Sequence, residues 1–256
     1  MKINIIKLLL TSFFSAMLCG NDFSKGLDHY RSRDEGSVGL KAKSEPIDSA
    51  IKEFEKGMLD STDVLKSGIY LLRSYYYKGQ FVIDDDDEKK EIFNKGKILG
   101  ESLIKKYPKS AEVRYWFLVN LGRWAQVYGT FAAAKEGVAD LMRTHSQKII
   151  DLDPAYMNGG GYFMLGAIHL KSPYIPFILS WPSNKEAIKY LKLALNQGEK
   201  TPSQVVYLAR ALYKDGKKDK AIQHLKNLIS RSISELNKVE DLQYKIEAEN
   251  LLADWG

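Results

Sequence analysis

The chain has 256 residues, 45% hydrophobic and 27% charged, with seven prolines and a formal net charge of +6. That composition supports a sizeable core and excludes a disordered or fibrous chain. Basic and acidic residues alternate instead of gathering into a basic stripe, which argues against a nucleic-acid surface.

Residues 1–20 read as an export signal peptide. Lys2 and Lys7 supply a positive start, and Leu8 to Leu18 forms an apolar run too short to span a bilayer comfortably. Cys19, the single cysteine, is followed by Gly20-Asn21. Two readings stand here: acylation of Cys19 as a lipoprotein terminus, or cleavage after Gly20. The bulky Leu18 opposes the first. Either way the mature chain forms no intramolecular disulfide. The expected location is the periplasm, with a lipid anchor on the first reading.

Residues 21–45, NDFSKGLDHYRSRDEGSVGLKAKSE, are rich in Gly, Ser and charge without a sustained period, and are expected to be a flexible leader. Residues 46–256 read as one helical domain. Pro46 opens a helix with Ile47, Ala50, Ile51, Phe54 and Met58 on one stripe. Four helix pairs follow: Val64 to Tyr77 with Glu88 to Lys106, Ala111 to Tyr128 with Phe131 to Ile150, Tyr162 to Lys171 with Asn184 to Asn196, and Pro202 to Lys214 with Lys218 to Ser230. A last helix, Ile233 to Ala253, is expected to cap the array with Leu236, Val239, Leu242, Ile246, Leu251 and Leu252 inside and its charges outside.

Small or close-packing residues recur at Leu72, Asn120, Gly166 and Ala209. Their spacing exceeds the roughly 34 residues of a standard tetratricopeptide repeat. The excess is expected in long loops between the helices of the first three pairs. The fold class is therefore all-α: a tetratricopeptide-like superhelix of about four helix pairs with a C-terminal capping helix.

The runs SAEVRYWFLVNLGRWAQVYG, LDPAYMNGGGYFMLGAIHLKSPYIPFILSWPSNKEAIKYLKLAL and YLARALYKDGKKDKAIQHL resemble the T-component family associated with periplasmic TRAP transporters (tripartite ATP-independent periplasmic solute transporters). The resemblance covers roughly residues 46–230. It implies an exported, non-enzymatic helical scaffold that associates with a solute-binding protein. A structural envelope scaffold that touches no solute is the alternative.

Catalytic patterns are missing. His29, His145, His169 and His224 lie far apart without a zinc-binding spacing, and there is no nucleophile elbow or Walker loop. No metal and no cofactor are expected. Asp84 to Asp87 reads as a solvated loop, Gly159-Gly160-Gly161 as a turn, and His169 as a packing histidine.

The chemistry that remains is binding. Projecting the first helix of each pair onto a concave face gives a groove lined by Arg73, Tyr76, Tyr77, Arg114, Phe117, Asn120, Trp124, Phe163, Arg210 and Tyr213. Aromatic walls with guanidinium groups suit a peptide segment or a small acidic, partly apolar ligand. The same aromatics would equally serve to pack neighbouring repeats. Asn120 either ties helices together or faces the site. The insert from Ser172 to Ser183 carries Tyr174, Phe177 and Trp181 between prolines, and is expected to form a lid or a partner contact. Expected partners are a solute-binding protein or another envelope protein, and a second copy of the chain through the long loops.

Overall fold

The computed structural model describes residues 22–59, 63–177 and 179–255. The expected export signal and Cys19 lie outside them. Among the described residues there are eleven α-helices and no strand: α1 Asp22–Arg31, α2 Ser44–Gly57, α3 Val64–Phe81, α4 Asp86–Lys106, α5 Ala111–Lys135, α6 Val138–Leu152, α7 Tyr156–Lys171, α8 Asn184–Ala194, α9 Pro202–Lys214, α10 Lys218–Ile229 and α11 Lys238–Trp255. Each packs on its sequence neighbour, which is the all-α, tetratricopeptide-like superhelix expected from the repeating pattern.

Local chemistry sets the helix starts. The Asp85 carboxylate accepts from the amides of Asp87 and Glu88, and three acids occupy the first turn of α4, where the helix dipole favours them. Ser110 caps α5. Thr201 and Gln204 form a reciprocal capping box around Pro202 at the start of α9. The acidic run Asp84 to Asp87 is thus a helix start with exposed side chains, and Asp84 pairs with Lys41.

Paired helices approach closely where side chains are small. A Cβ at Gly166 of α7 would sit 2.6 Å from Leu191 Cγ of α8, and one at Gly96 of α4 would sit 2.2 Å from Asn120 Oδ1 of α5. Both positions therefore select glycine by space alone.

The expected flexible leader is corrected by the structure: from Asp22 onward it is folded. Phe23, Gly26 and Tyr30 share one face of α1 at helical spacing, a pattern hidden in sequence by the surrounding charge. Tyr30 meets Tyr70 edge-on at 5.4 Å, and Gly26 lies flat against Phe54. Ala42 donates its backbone N–H to Phe81 O at 2.9 Å.

The expected long loops are corrected in two of three cases. In the first pair α3 runs on to Phe81, leaving only Val82–Asp85 as a connection, and in the second α5 runs to Lys135 with a break in helical geometry at Gly129, φ 86°. Extra length here is extra helix. Only the third pair keeps its insert, residues 172–183.

The final helix keeps only part of the expected inner face, and its charges are not all outside. Leu236 precedes α11 and is 78% exposed, Val239 and Leu251 are buried, and Glu240 and Glu247 face inward. Val239 joins the core cluster that runs from α1 to α7, while Ala248 and Leu251 join the cluster of α8 to α10. The helix thus spans both ends of the superhelix.

Candidate binding groove

The first helices of the pairs line a concave cavity of about 630 Å³, within the size range of small-molecule sites. Tyr76 of α3, Arg123 of α5, Phe163 and Lys171 of α7, and Tyr207 of α9 contribute walls. Glu240, Asp241 and Tyr244 of α11 form the opposite side.

Arg123 is the centre of the polar part. Its guanidinium carbon lies 5.6 Å from the Tyr76 ring centroid, and Nη1 donates to Gln126 Oε1 at 2.9 Å. Burial works against its charge, but Tyr76, Tyr244 and Tyr207 outweigh it and leave the pKa above the ordinary value. Lys171 Nζ stands 5.5 Å from the Tyr207 ring centroid. Enclosure, then the charges of Arg210 and Arg123, push its pKa down. The carboxylates that line the cavity are already engaged: Glu240 with Arg33, Asp140 with the Trp181 indole and Asp241 with the Ser234 amide.

Of the residues expected in the groove, the structure brings Tyr76 and Phe163 to the cavity wall. Phe163 meets Tyr207 edge-on at 5.2 Å. The others serve elsewhere. Arg73 is caged by Tyr30, Tyr70 and Trp116, with guanidinium-to-centroid distances of 5.1, 4.7 and 4.8 Å. Tyr77 is fully buried and its hydroxyl donates to Asp34 Oδ1 at 2.5 Å. Arg114 is buried, bonding His145 Nδ1 and Pro108 O, each at 2.7 Å. Phe117 packs against the His145 ring and Trp124 stacks on Tyr128.

Asn120 takes the helix-tying role. It is 0% exposed and its amide donates to Leu72 O and Trp116 O, both at 2.9 Å. Arg210 and Tyr213 are taken up by α11: Arg210 bonds Glu247 at 2.8 Å and Tyr213 stacks on Trp255 at 3.9 Å.

The insert divides. Trp181 Nε1 donates to Asp140 at 2.9 Å and its ring meets His169 edge-on at 5.0 Å, so this end is anchored. Ile175 and Leu179 pair through reciprocal backbone bonds and lie at the cavity mouth. Tyr174 is 63% and Phe177 102% exposed, and Phe177 has φ 65°. The segment is therefore a rim fixed at one end with two aromatic rings turned outward.

His169 packs as expected, accepting from the Ser183 amide at 3.2 Å and stacking on Tyr190. Gly159 lies in a left-handed turn with Met157 and Asn158, while Gly160 and Gly161 pack on Tyr115 and Ile150. Among the described residues no group of His, Cys, Asp and Glu is placed to hold a metal.

The expected lining was wrong in rotation more than in kind. Arg123, Lys171 and Tyr207 were missed because one residue of helix rotation is about 100°, and Tyr244 because the final helix was expected to be a cap outside the groove. The tyrosine and basic content of the first helices was the available signal.

No family model and no curated protein matches the chain. Among solved structures, a thermophilic TPR protein of Thermus thermophilus, TTC0263, matches with TM-score 0.60 at 15% identity over 91% of this chain and 98% of its own. The MamA protein matches at TM-score 0.43 and 16% identity, over 89% and 97%. The first likeness is one of fold.

Proposed function

We propose that the protein is a non-enzymatic binding scaffold of the cell envelope, an accessory component of a TRAP-type periplasmic uptake system that engages a solute-binding protein or its ligand. The observation that carries the reading is the concave cavity, which joins apolar walls to Arg123 and Lys171. Such a surface suits a protein segment or a small acidic, partly apolar ligand. Helical-repeat folds stack their helices into extended concave binding surfaces of this kind.

The test is chemical cross-linking and co-purification of the full chain from native membranes. Recovery of a solute-binding protein is the expected result. Repeated recovery of other envelope proteins without one would replace this reading by a second, a structural scaffold, for which the outward Tyr174 and Phe177 supply the contact.

Export and the choice between acylated Cys19 and cleavage after Gly20 belong to the same proposal. Cys19→Ala releases the protein from membranes if the cysteine is acylated. An unmodified Asn21 terminus in mass spectrometry would establish cleavage.

A further inference from the structure

The face of α11 turned toward the repeats is unlike a simple cap. Glu240 bonds Arg33 at 3.1 Å, Gln243 accepts from Gln80 at 3.2 Å, and Glu247 bonds Arg210 at 2.8 Å. Tyr244 lies in the cavity wall between the two carboxylates. Residues 240, 243, 244 and 247 fall on one helical stripe, so a single face carries two acids, an amide and an aromatic ring. The bases that receive it come from opposite ends of the superhelix.

This arrangement is how an amphipathic helix enters a groove in trans, with spaced anchors and charge complementarity fixing register. Here the occupant is part of the same chain. Besides the buried Val239, Ala248 and Leu251 and the stack of Trp255 on Tyr213, its polar hold on the repeats is the pair with Arg33, the amide bond with Gln80 and the pair with Arg210. The connection before it, from Ser230 to Asn237, contains one short 3₁₀ turn at Glu235–Asn237 and no α-helix.

We propose that the concave groove is a helix-binding groove closed by the chain's own α11, and that its partner is a helix presenting the same face, two carboxylates seven residues apart around an aromatic ring. The inference rests on the reading of the concave side as the binding surface. Such a partner helix replaces α11 by meeting Arg33 and Arg210 with its own acids. The pull-down described above tests the binding reading separately, and recovery of a solute-binding protein there stands whatever becomes of the helix exchange.

The probe is a labelled synthetic peptide spanning Glu235 to Trp255, added to the full chain. Binding to the E240Q/E247Q chain is expected to be at least tenfold tighter than to the unaltered chain, because the internal helix has lost both charge contacts. A peptide carrying the same two glutamine substitutions is expected to bind at least tenfold more weakly than the unsubstituted one. Hydrogen exchange in the E240Q/E247Q chain is expected to accelerate in α11 while α3 to α10 keep their protection.

A second arm keeps all native charges: Gln80→Cys and Gln243→Cys, with Cys19→Ala, joined by a short bismaleimide. The joined chain is expected to refuse the peptide. Equal binding of the acidic and amide peptides, no gain in the E240Q/E247Q chain, or unimpaired binding to the joined chain would each overturn the proposal. If E240Q/E247Q unfolds, the joined chain against its unjoined form decides alone.

Discussion

Arg33 and Glu240 are separated by 207 positions in sequence and by 3.1 Å in space. The Arg33 side chain is 5% exposed, lies over the rings of Tyr30 and Tyr77, and also donates to Leu236 O at 2.7 Å. Burial opposes its charge, but Tyr30, Glu240 and Asp34 outweigh it and hold the guanidinium's pKa above the ordinary value. Burial raises the Glu240 pKa, partly countered by Arg33. The pair joins the turn after α1 to the start of α11 and so closes the superhelix on itself.

Arg33→Ala leaves a carboxylate enclosed without its partner. The expected loss is about 3 kcal/mol, as for other broken buried pairs, read as a lower urea midpoint. Replacing both partners, Arg33→Met with Glu240→Leu, is expected to recover most of it. A double variant as weak as Arg33→Ala would show that the bonds of Arg33 to Tyr30 O, Leu236 O and Asn237 Oδ1, and not the pair, supply the stability.

Asn120 ties α5 to the carbonyl of Leu72 in α3 from a fully buried position. Asn120→Leu removes both of its hydrogen bonds and presses a branched side chain toward Gly96; the expected cost is about 2 kcal/mol, measured by urea unfolding. Gly96→Ala is expected to destabilise as well, since its Cβ would meet the same amide.

The His145 ring accepts from Arg114, and burial followed by that positive neighbour lowers its pKa to about 4. The native ring stays neutral where the unfolded ring, near 6.5, takes a proton. Stability from this site is therefore full above pH 6.5 and falls as pH drops toward about 4. His145→Gln is expected to flatten that part of a melting temperature against pH curve. An unchanged slope would assign the acid limb to other groups.

Trp181 fixes one end of the insert through Asp140. Trp181→Phe is expected to speed hydrogen exchange in residues 172–183 with little change in the rest of the protein. Phe177→Ser, at a fully exposed ring, is expected to move stability by less than about 0.5 kcal/mol yet to weaken association if the rim is a contact. Loss of global stability in Phe177→Ser would show that the ring packs inward in solution.

Periodicity and small residues were enough to place nearly every helix from Ser44 to Ile229, because each buries one stripe against its immediate neighbours. Gly166 against Leu191 is a local relationship between paired helices, and such relationships are written in sequence. The groove was less legible. Tyr76 and Phe163 were placed correctly, but Arg73, Arg114 and Trp124 belong to packing, since a guanidinium caged by rings and one aimed at a cavity have the same sequence pattern.

The fold of the segment before Ser44 and the inward acids of the helix after Asn237 were missed for a shared reason. Their polar residues satisfy one another across the whole chain, Arg33 with Glu240 and Asp34 with the Lys238 amide, and such distant pairs are not marked by any local spacing. Sequence by itself determined an all-α repeat array, its pair boundaries and the aromatic insert, all of which depend on contacts between near neighbours. Only the tertiary structure decided that the array closes and that α11 walls its groove, because ion pairs between distant segments leave no period in the chain.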